Sequence, residues 1–174
     1  IGGEHAGQGN VIAYNRGSDV SLLPIGALDL VPRNVRILRN SITRNERLGI
    51  DLGADGSTRN DKAPDRDGGA NRLQNKPRIL NVVASGDRTI ITGTLTSRRE
   101  HAYRLELFQS AAGDPEGRSF LGHVYVSTDA DGTARWTFRV NARLALGTGI
   151  TGTATDVDRR DTSEFGPVAR VTAR

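Results

Sequence analysis

The stretch Asn10-Val11-Ile12-Ala13-Tyr14-Asn15-Arg16-Gly17-Ser18-Asp19-Val20-Ser21-Leu22 decides the fold, because its pattern returns at an offset of 30 residues as Asn40-Ser41-Ile42-Thr43-Arg44-Asn45-Glu46-Arg47-Leu48-Gly49-Ile50-Asp51-Leu52. Ile12 falls on Ile42, Val20 on Ile50 and Leu22 on Leu52, while Asn10 falls on Asn40 and Asn15 on Asn45. Apolar residues at fixed places and Asn at the corners are what one coil of short strands requires when each coil stacks its apolar side chains on those of the next. Asn suits a corner because it tolerates left-handed backbone angles and its amide can bond the Asn of the neighbouring coil.

Outward from the repeat, Asn34-Val35-Arg36-Ile37-Leu38-Arg39 reads as a further strand of the second coil, with Val35 and Ile37 inward and Arg36 outward. Residues 21–33 lengthen the connection between coils, and Pro24 and Pro32 mark them as a loop or a short excursion. Residues 54–76 are polar, rich in Gly and Asp and without hydrophobic period, which places a linker there. From Pro77 the period changes to two. Tyr103, Leu105 and Leu107 alternate with Arg104 and Glu106, and Trp136, Phe138 and Val140 alternate with Arg135, Thr137 and Arg139. Each run predicts a strand with one face on a core and one in water. With 79–84, 89–96, 120–127, 149–156 and 167–173 these make about seven strands, punctuated by Gly86-Asp87, Gly113-Asp114-Pro115 and Asp131-Gly132, the pattern of an immunoglobulin-like sandwich.

Ile1-Gly2-Gly3, Gly9-Asn10-Val11-Ile12 with Asn15, Asn40-Ser41-Ile42 with Asn45, and Leu48-Gly49-Ile50-Asp51-Leu52-Gly53 resemble the closing coils of right-handed parallel β-helix repeat proteins of bacterial surfaces. Asp55-Gly56, Asn60-Asp61 and Leu73-Gln74-Asn75-Lys76-Pro77 resemble the hand-over from such a helix to a β-sandwich, and Thr92-Gly93-Thr94-Leu95, Phe120-Leu121-Gly122, Ala154-Thr155-Asp156 and Thr162-Ser163-Glu164-Phe165 resemble its C-terminal module. The expected class is therefore all-β: terminal coils of a right-handed parallel β-helix at 1–53, an Asp/Gly-rich linker at 54–76, and an immunoglobulin-like antiparallel β-sandwich at 77–174. Two coils are fewer than the three or so that bury a continuous solenoid core, so further coils are expected upstream.

Composition narrows the function. The 24 basic residues are all Arg except Lys62 and Lys76, against 20 acidic ones, for a net charge of +4. The Arg are scattered, which disfavours a nucleic-acid partner. Cysteine is absent, removing disulfide, thiolate and zinc–sulfur chemistry. No apolar run reaches the length of a membrane span. His5, His101 and His123 lie in separate regions without the spacing of a metalloprotease or hydrolase motif.

Two acidic clusters are the candidate metal sites. Asp61, Asp65, Asp67 and Asn71 carry the alternating oxygen ligands that calcium takes, opposed by Arg59, Lys62 and Arg66 as pairing partners in a plain solvated loop. Asp156, Asp158, Asp161 and Glu164 form the second. Modules of the resembled kind read Ala-Thr-Asp, two variable residues, then Gly-Asn-Thr-Ser-Glu; here Arg160 and Asp161 replace that Gly and Asn, so Arg160 must accept a glycine's backbone angles or reshape the turn. Asp51 stands where polysaccharide-active relatives keep acidic residues, and alternation with Ile50 and Leu52 points it outward. Arg36, Arg39, Arg44 and Arg47 are a candidate row for an acidic extracellular polysaccharide. The reading is a non-enzymatic structural or adhesive module of a secreted or cell-surface protein, whose sandwich caps the β-helix. The alternatives are the tail of a polysaccharide lyase or hydrolase with its active coils upstream, or a carbohydrate-binding accessory domain.

Overall fold

The computed structural model describes residues 1–24, 30–111 and 114–174. Residues 25–29 of the expected excursion, and Gly113 of the expected turn, lie outside the described residues. The repeat pairs with itself in the expected register. β1 (Val11–Ala13) lies parallel to β3 (Ser41–Thr43) with Ile12 opposite Ile42. β2 (Val20–Leu22) lies parallel to β4 (Ile50–Leu52) with Val20 opposite Ile50 and Leu22 opposite Leu52.

The corner asparagines bond across the repeat. Asn40 Oδ1 accepts from Asn10 N at 3.0 Å and from Asn10 Nδ2 at 2.9 Å, and Asn45 Oδ1 does the same for Asn15 N and Nδ2 at 3.0 and 3.2 Å. The left-handed backbone sits one residue earlier than expected, at Tyr14, Arg39 and Arg44. Each thereby turns the following Asn amide toward its partner. Residues 34–39 are an extended segment with a single parallel bridge, Leu38 to Gly2, and not a regular strand. Left-handed angles at Asn34 and Arg39 break the ladder at both ends.

The second half forms two four-stranded sheets. One orders β11 (Ala169–Arg170), β10 (Gly149–Asp156), β7 (Ala102–Ser110) and β8 (Ser119–Ser127), all antiparallel. The other orders β12 (Thr172–Ala173), β5 (Arg78–Ser85), β6 (Arg88–Thr96) and β9 (Thr133–Val140), antiparallel except for β12, which runs parallel to β5. The expected last strand is thus two short ones. The chain changes sheet at buried Val171, which seats in the core between them.

Side chains of both sheets meet in that core: Val82, Ile91, Leu95 and Trp136 from one, Tyr103, Leu105, Leu107, Ile150 and Ala154 from the other. Gly93 is forced by packing, since a Cβ there would stand 2.3 Å from both Arg78 O and Trp136 Cζ2. β9 alternates as expected, with Arg135, Thr137 and Arg139 exposed. β7 does not, for Arg104 and Glu106 are 5% and 0% exposed, because the repeat covers that face of the sheet.

A second core joins Val20, Leu22, Ile37, Ile42, Ile50 and Leu52 to Ala70 and Leu73 of the 54–76 segment and to Phe165 of the sandwich half. That segment is therefore not a solvated linker. It carries a short 3-10 turn at Ala70–Leu73, and Asn71 is 0% exposed. Among the described residues no helix is long and apolar enough to cross a membrane.

Candidate functional site

Consecutive N–H groups of the second repeat alternate between two partners. Leu38, Ser41 and Gly53 donate toward the first repeat, to Ile1 O, Asn10 O and Leu22 O. Those facing the other way meet the sandwich half, and most of the acceptors there are carboxylates. Asn34 N reaches Asp161 Oδ1 at 2.7 Å, Arg39 N reaches Glu106 Oε2 at 2.7 Å, and Arg44 N reaches Asp114 Oδ2 at 2.7 Å. Asn45 N reaches Glu116 Oε2 at 3.3 Å and Leu52 N reaches Glu164 Oε1 at 3.2 Å. Ile37 N donates to Thr162 Oγ1 at 2.9 Å and Ile42 N to Gly117 O at 2.9 Å.

These bonds redefine the second acidic cluster. Asp161 accepts from Asn34 N and pairs with Arg72 at 2.6 Å. Glu164 accepts from Leu52 N, Thr58 N and Thr58 Oγ1 and pairs with Lys76 at 3.0 Å. Asp156 Oδ1 caps the N–H groups of Asp158 and Arg159, while its Oδ2 pairs with Arg98 at 2.9 Å. Asp158 is exposed at the turn. The four do not converge, and their oxygens are spent on N–H and cationic partners. Arg160 adopts the left-handed angle that the missing glycine implied, with φ of 63°.

The first cluster does converge in part. One carboxylate oxygen from each of Asp61, Asp65 and Asp67 lies within 4.8 Å of the others. Asn75 organises them. Its Oδ1 accepts from Asp61 N at 3.0 Å, and its Nδ2 donates to Asp61 Oδ1 at 2.8 Å and to Thr96 O at 2.9 Å. Ser97 Oγ donates to Asp65 Oδ2 and itself accepts from Gln74 Nε2 at 3.0 Å. Burial pushes the Asp65 carboxyl up to about 6, against the Ser97 bond and with help from the Asp61 charge. Burial and Asp61 also raise Asp67. Among the described residues no ion pair joins these carboxylates to Arg59, Lys62 or Arg66, the cations expected to neutralise them. Asn71 is not part of the group. Its amide bonds Val35 N at 3.0 Å, Val35 O at 2.8 Å and Thr162 O at 2.9 Å, locking the 54–76 segment to the repeat and to the sandwich half.

Asp51 lines a cleft of about 1100 Å³ but does not stand out into solvent. It is 4% exposed, with Oδ2 taking Ser18 Oγ at 3.0 Å and Oδ1 meeting no donor. Beside the cleft, Glu116 is buried and pushed up to about 8, first by desolvation and then by the charges of Asp114 and Asp19. Asp19 is raised as well, again by burial, despite bonds from Asn15 and Glu116. Glu116 Oε1 and Asp19 Oδ2 are buried and meet no donor among the described residues, a deficit that a proton on Glu116 would relieve. Of the Arg row, Arg44 and Arg47 line the same cleft as Asp51, with Arg44 bonding Tyr14 OH, while Arg36 pairs with Glu4 and Arg39 stacks 4.2 Å over the Phe120 ring.

Glu106, Asp114, Glu116 and Thr162 were invisible as site residues in sequence, because they take backbone N–H groups far along the chain, and Asn75 because it ties Asp61 to the Thr96 carbonyl across a turn that has no local period. The one available signal is an acidic residue on a strand or turn whose neighbours are otherwise apolar, as at Glu106 between Leu105 and Leu107. No protein-family model matches this chain, and no curated protein matches its sequence.

Proposed function

We propose that residues 1–53 are the last coils of a right-handed parallel β-helix and that residues 77–174 are an immunoglobulin-like sandwich that caps them, in a non-enzymatic structural or adhesive module of a secreted or cell-surface protein. The observation that carries the reading is the set of carboxylates, on Glu106, Asp114, Glu116, Asp161 and Glu164, that accept the outward N–H groups of the second repeat. A solenoid ends in a row of unpaired backbone donors and an open apolar stack, and both need cover. A bond to an ionised carboxylate contributes about 1.5–3 kcal/mol and one to a protonated Glu116 about 0.5–1.5 kcal/mol, and Phe165 closes the stack beside Ile42 and Ile50. The strand order β12-β5-β6-β9 against β11-β10-β7-β8 supports the immunoglobulin-like topology. The other edge of β1 and β2 has no strand beside it among the described residues, and a preceding coil of the same repeat would pair there.

The test is excision of 77–174. The capped chain is expected to stay monomeric, whereas the 1–76 fragment is expected to aggregate or unfold; a soluble, folded 1–76 fragment contradicts the capping role.

The convergence of Asp61, Asp65 and Asp67 supports a second proposal, that calcium rigidifies the joint between the two halves. Oxygen donors without cationic partners suit a hard divalent ion.

A further inference from the structure

The structure assigns an anion-binding cleft to the junction of the 54–76 segment with the sandwich half, and its chemistry fits a polysaccharide chain bearing carboxylate or sulfate groups. Four separate pieces of chain deliver arginines to one opening of about 410 Å³: Arg33 from the end of the 21–33 connection, Arg66 and Arg72 from the 54–76 segment, Arg98 and Arg99 from the β6–β7 turn, and Arg159 from the turn after β10. Arginines are otherwise spread along the whole sequence. Their gathering here is a product of the fold.

Two of them are held in place by buried carboxylates. Arg98 Nη1 bonds Asp156 Oδ2 at 2.9 Å and Arg72 Nη1 bonds Asp161 Oδ2 at 2.6 Å. The acidic residues after β10 thus serve the cleft by orienting guanidinium groups. Arg66, Arg99, Arg33 and Arg159 enter no ion pair among the described residues, and the first three are exposed. Arg33 Nε makes only a 3.4 Å bond to Gly69 O. The two carboxylates on the wall, Asp65 and Asp67, enter no ion pair with these arginines among the described residues, so six guanidinium groups face two acids in one opening.

Concentrated like charge costs stability unless an anion shares the space, and a guanidinium presents a planar fork that matches carboxylate or sulfate oxygens two at a time. The remaining lining is Pro64 and His101, with no Phe, Tyr or Trp. A base-stacking platform is missing, which favours an anionic sugar chain over single-stranded nucleic acid. Six arginines around one opening of about 410 Å³ offer more guanidinium groups than a lone small anion can engage, which favours a chain of repeated anionic groups.

The test is titration calorimetry of the full chain, at low and at physiological salt, with oligogalacturonate, dextran sulfate, neutral dextran and a thymidine oligonucleotide as probes. One anionic sugar chain is expected to bind and neutral dextran to be inert; which of the two binds tells carboxylate from sulfate. The double variant Arg66→Ala/Arg99→Ala, whose side chains hold no internal ion pair, is expected to weaken binding about tenfold or more while the unfolding midpoint stays put. Arg135→Ala/Arg139→Ala, the same charge change on the exposed face of β9, is expected to bind like the parent. Equal loss in both double variants, tighter binding of the oligonucleotide, or no binding of either anionic sugar chain at low salt each overturns the assignment.

Discussion

Glu116 offers the sharpest test of how the two halves are joined. It is 2% exposed, its Oε2 accepts both N and Nδ2 of Asn45, and its Oε1 faces Asp19. The folded protein holds its proton up to about 8, whereas the unfolded chain releases it near 4.5. The folded state therefore binds more protons throughout that window, and stability falls as pH rises from 4.5 toward 8. At about 1.4 kcal/mol per pH unit, this one group removes roughly 3–4 kcal/mol between pH 5 and pH 8. Glu116→Gln keeps the acceptor for Asn45 and supplies a permanent N–H donor to Asp19 without a proton to lose. Urea unfolding at pH 5, 6.5 and 8 should show the variant more stable than the parent at pH 8 and closely matched at pH 5. Parallel pH slopes for the two proteins, or a variant less stable at pH 8, would refute the shared-proton account.

Other expectations follow from the same geometry. Glu164→Ala leaves Leu52 N and Thr58 N without their acceptor and takes the carboxylate from Lys76 Nζ, which keeps Ser57 Oγ and Thr58 O, and should cost about 2–4 kcal/mol in chemical denaturation, with Glu164→Gln costing less. Asn75→Ala removes the cross-ties among Asp61, Thr96 and the chain at 75 and should cost about 2–3 kcal/mol by the same assay. Millimolar calcium should raise the thermal midpoint over that in EDTA, more at pH 8 than at pH 5 because protons compete at Asp65, and the rise should vanish in Asp65→Ala and Asp67→Ala. No midpoint change with calcium at either pH would remove the ion from the account. Gly93→Ala should destabilise by about 1–3 kcal/mol, since the new methyl meets the Arg78 carbonyl and the Trp136 ring.

What was legible in sequence were the features set by local period. The 30-residue self-match yielded the register of β1 with β3 and β2 with β4, and alternation from Pro77 onward located most strands to within a few residues. Contacts between distant segments were not legible. Alternation placed Arg104 and Glu106 in water because it cannot see that the repeat lies over β7. Low hydrophobicity marked 54–76 as solvated, yet Ala70 and Leu73 enter a core and Asn71 replaces water with three backbone bonds. The same blindness shaped the site. Closely spaced acids after β10 resemble metal ligands in one dimension, but their oxygens point in different directions: those of Asp156 to its own turn and to Arg98, and those of Asp161 and Glu164 to distant segments, such as Arg72 and Asn34 for Asp161. Arg66, Arg99 and Arg159 gave no warning that they would share an opening.

The sheet change at Val171 has a mechanical meaning. β5 is entered from the 54–76 segment and β12 is left toward the C-terminus, and the two run parallel with Thr172 opposite Val83 and Ala173 opposite Ala84. Tension applied across residues 77–174 therefore pulls these neighbours in opposite senses along their length, so their bonds are loaded together in shear instead of being unzipped one after another. Val171, anchored in the core between β11 and β12, must be dragged out before that latch can slip. A module built this way would pass a pull at its C-terminal end into residues 1–76 while the two sheets stay shut on one another.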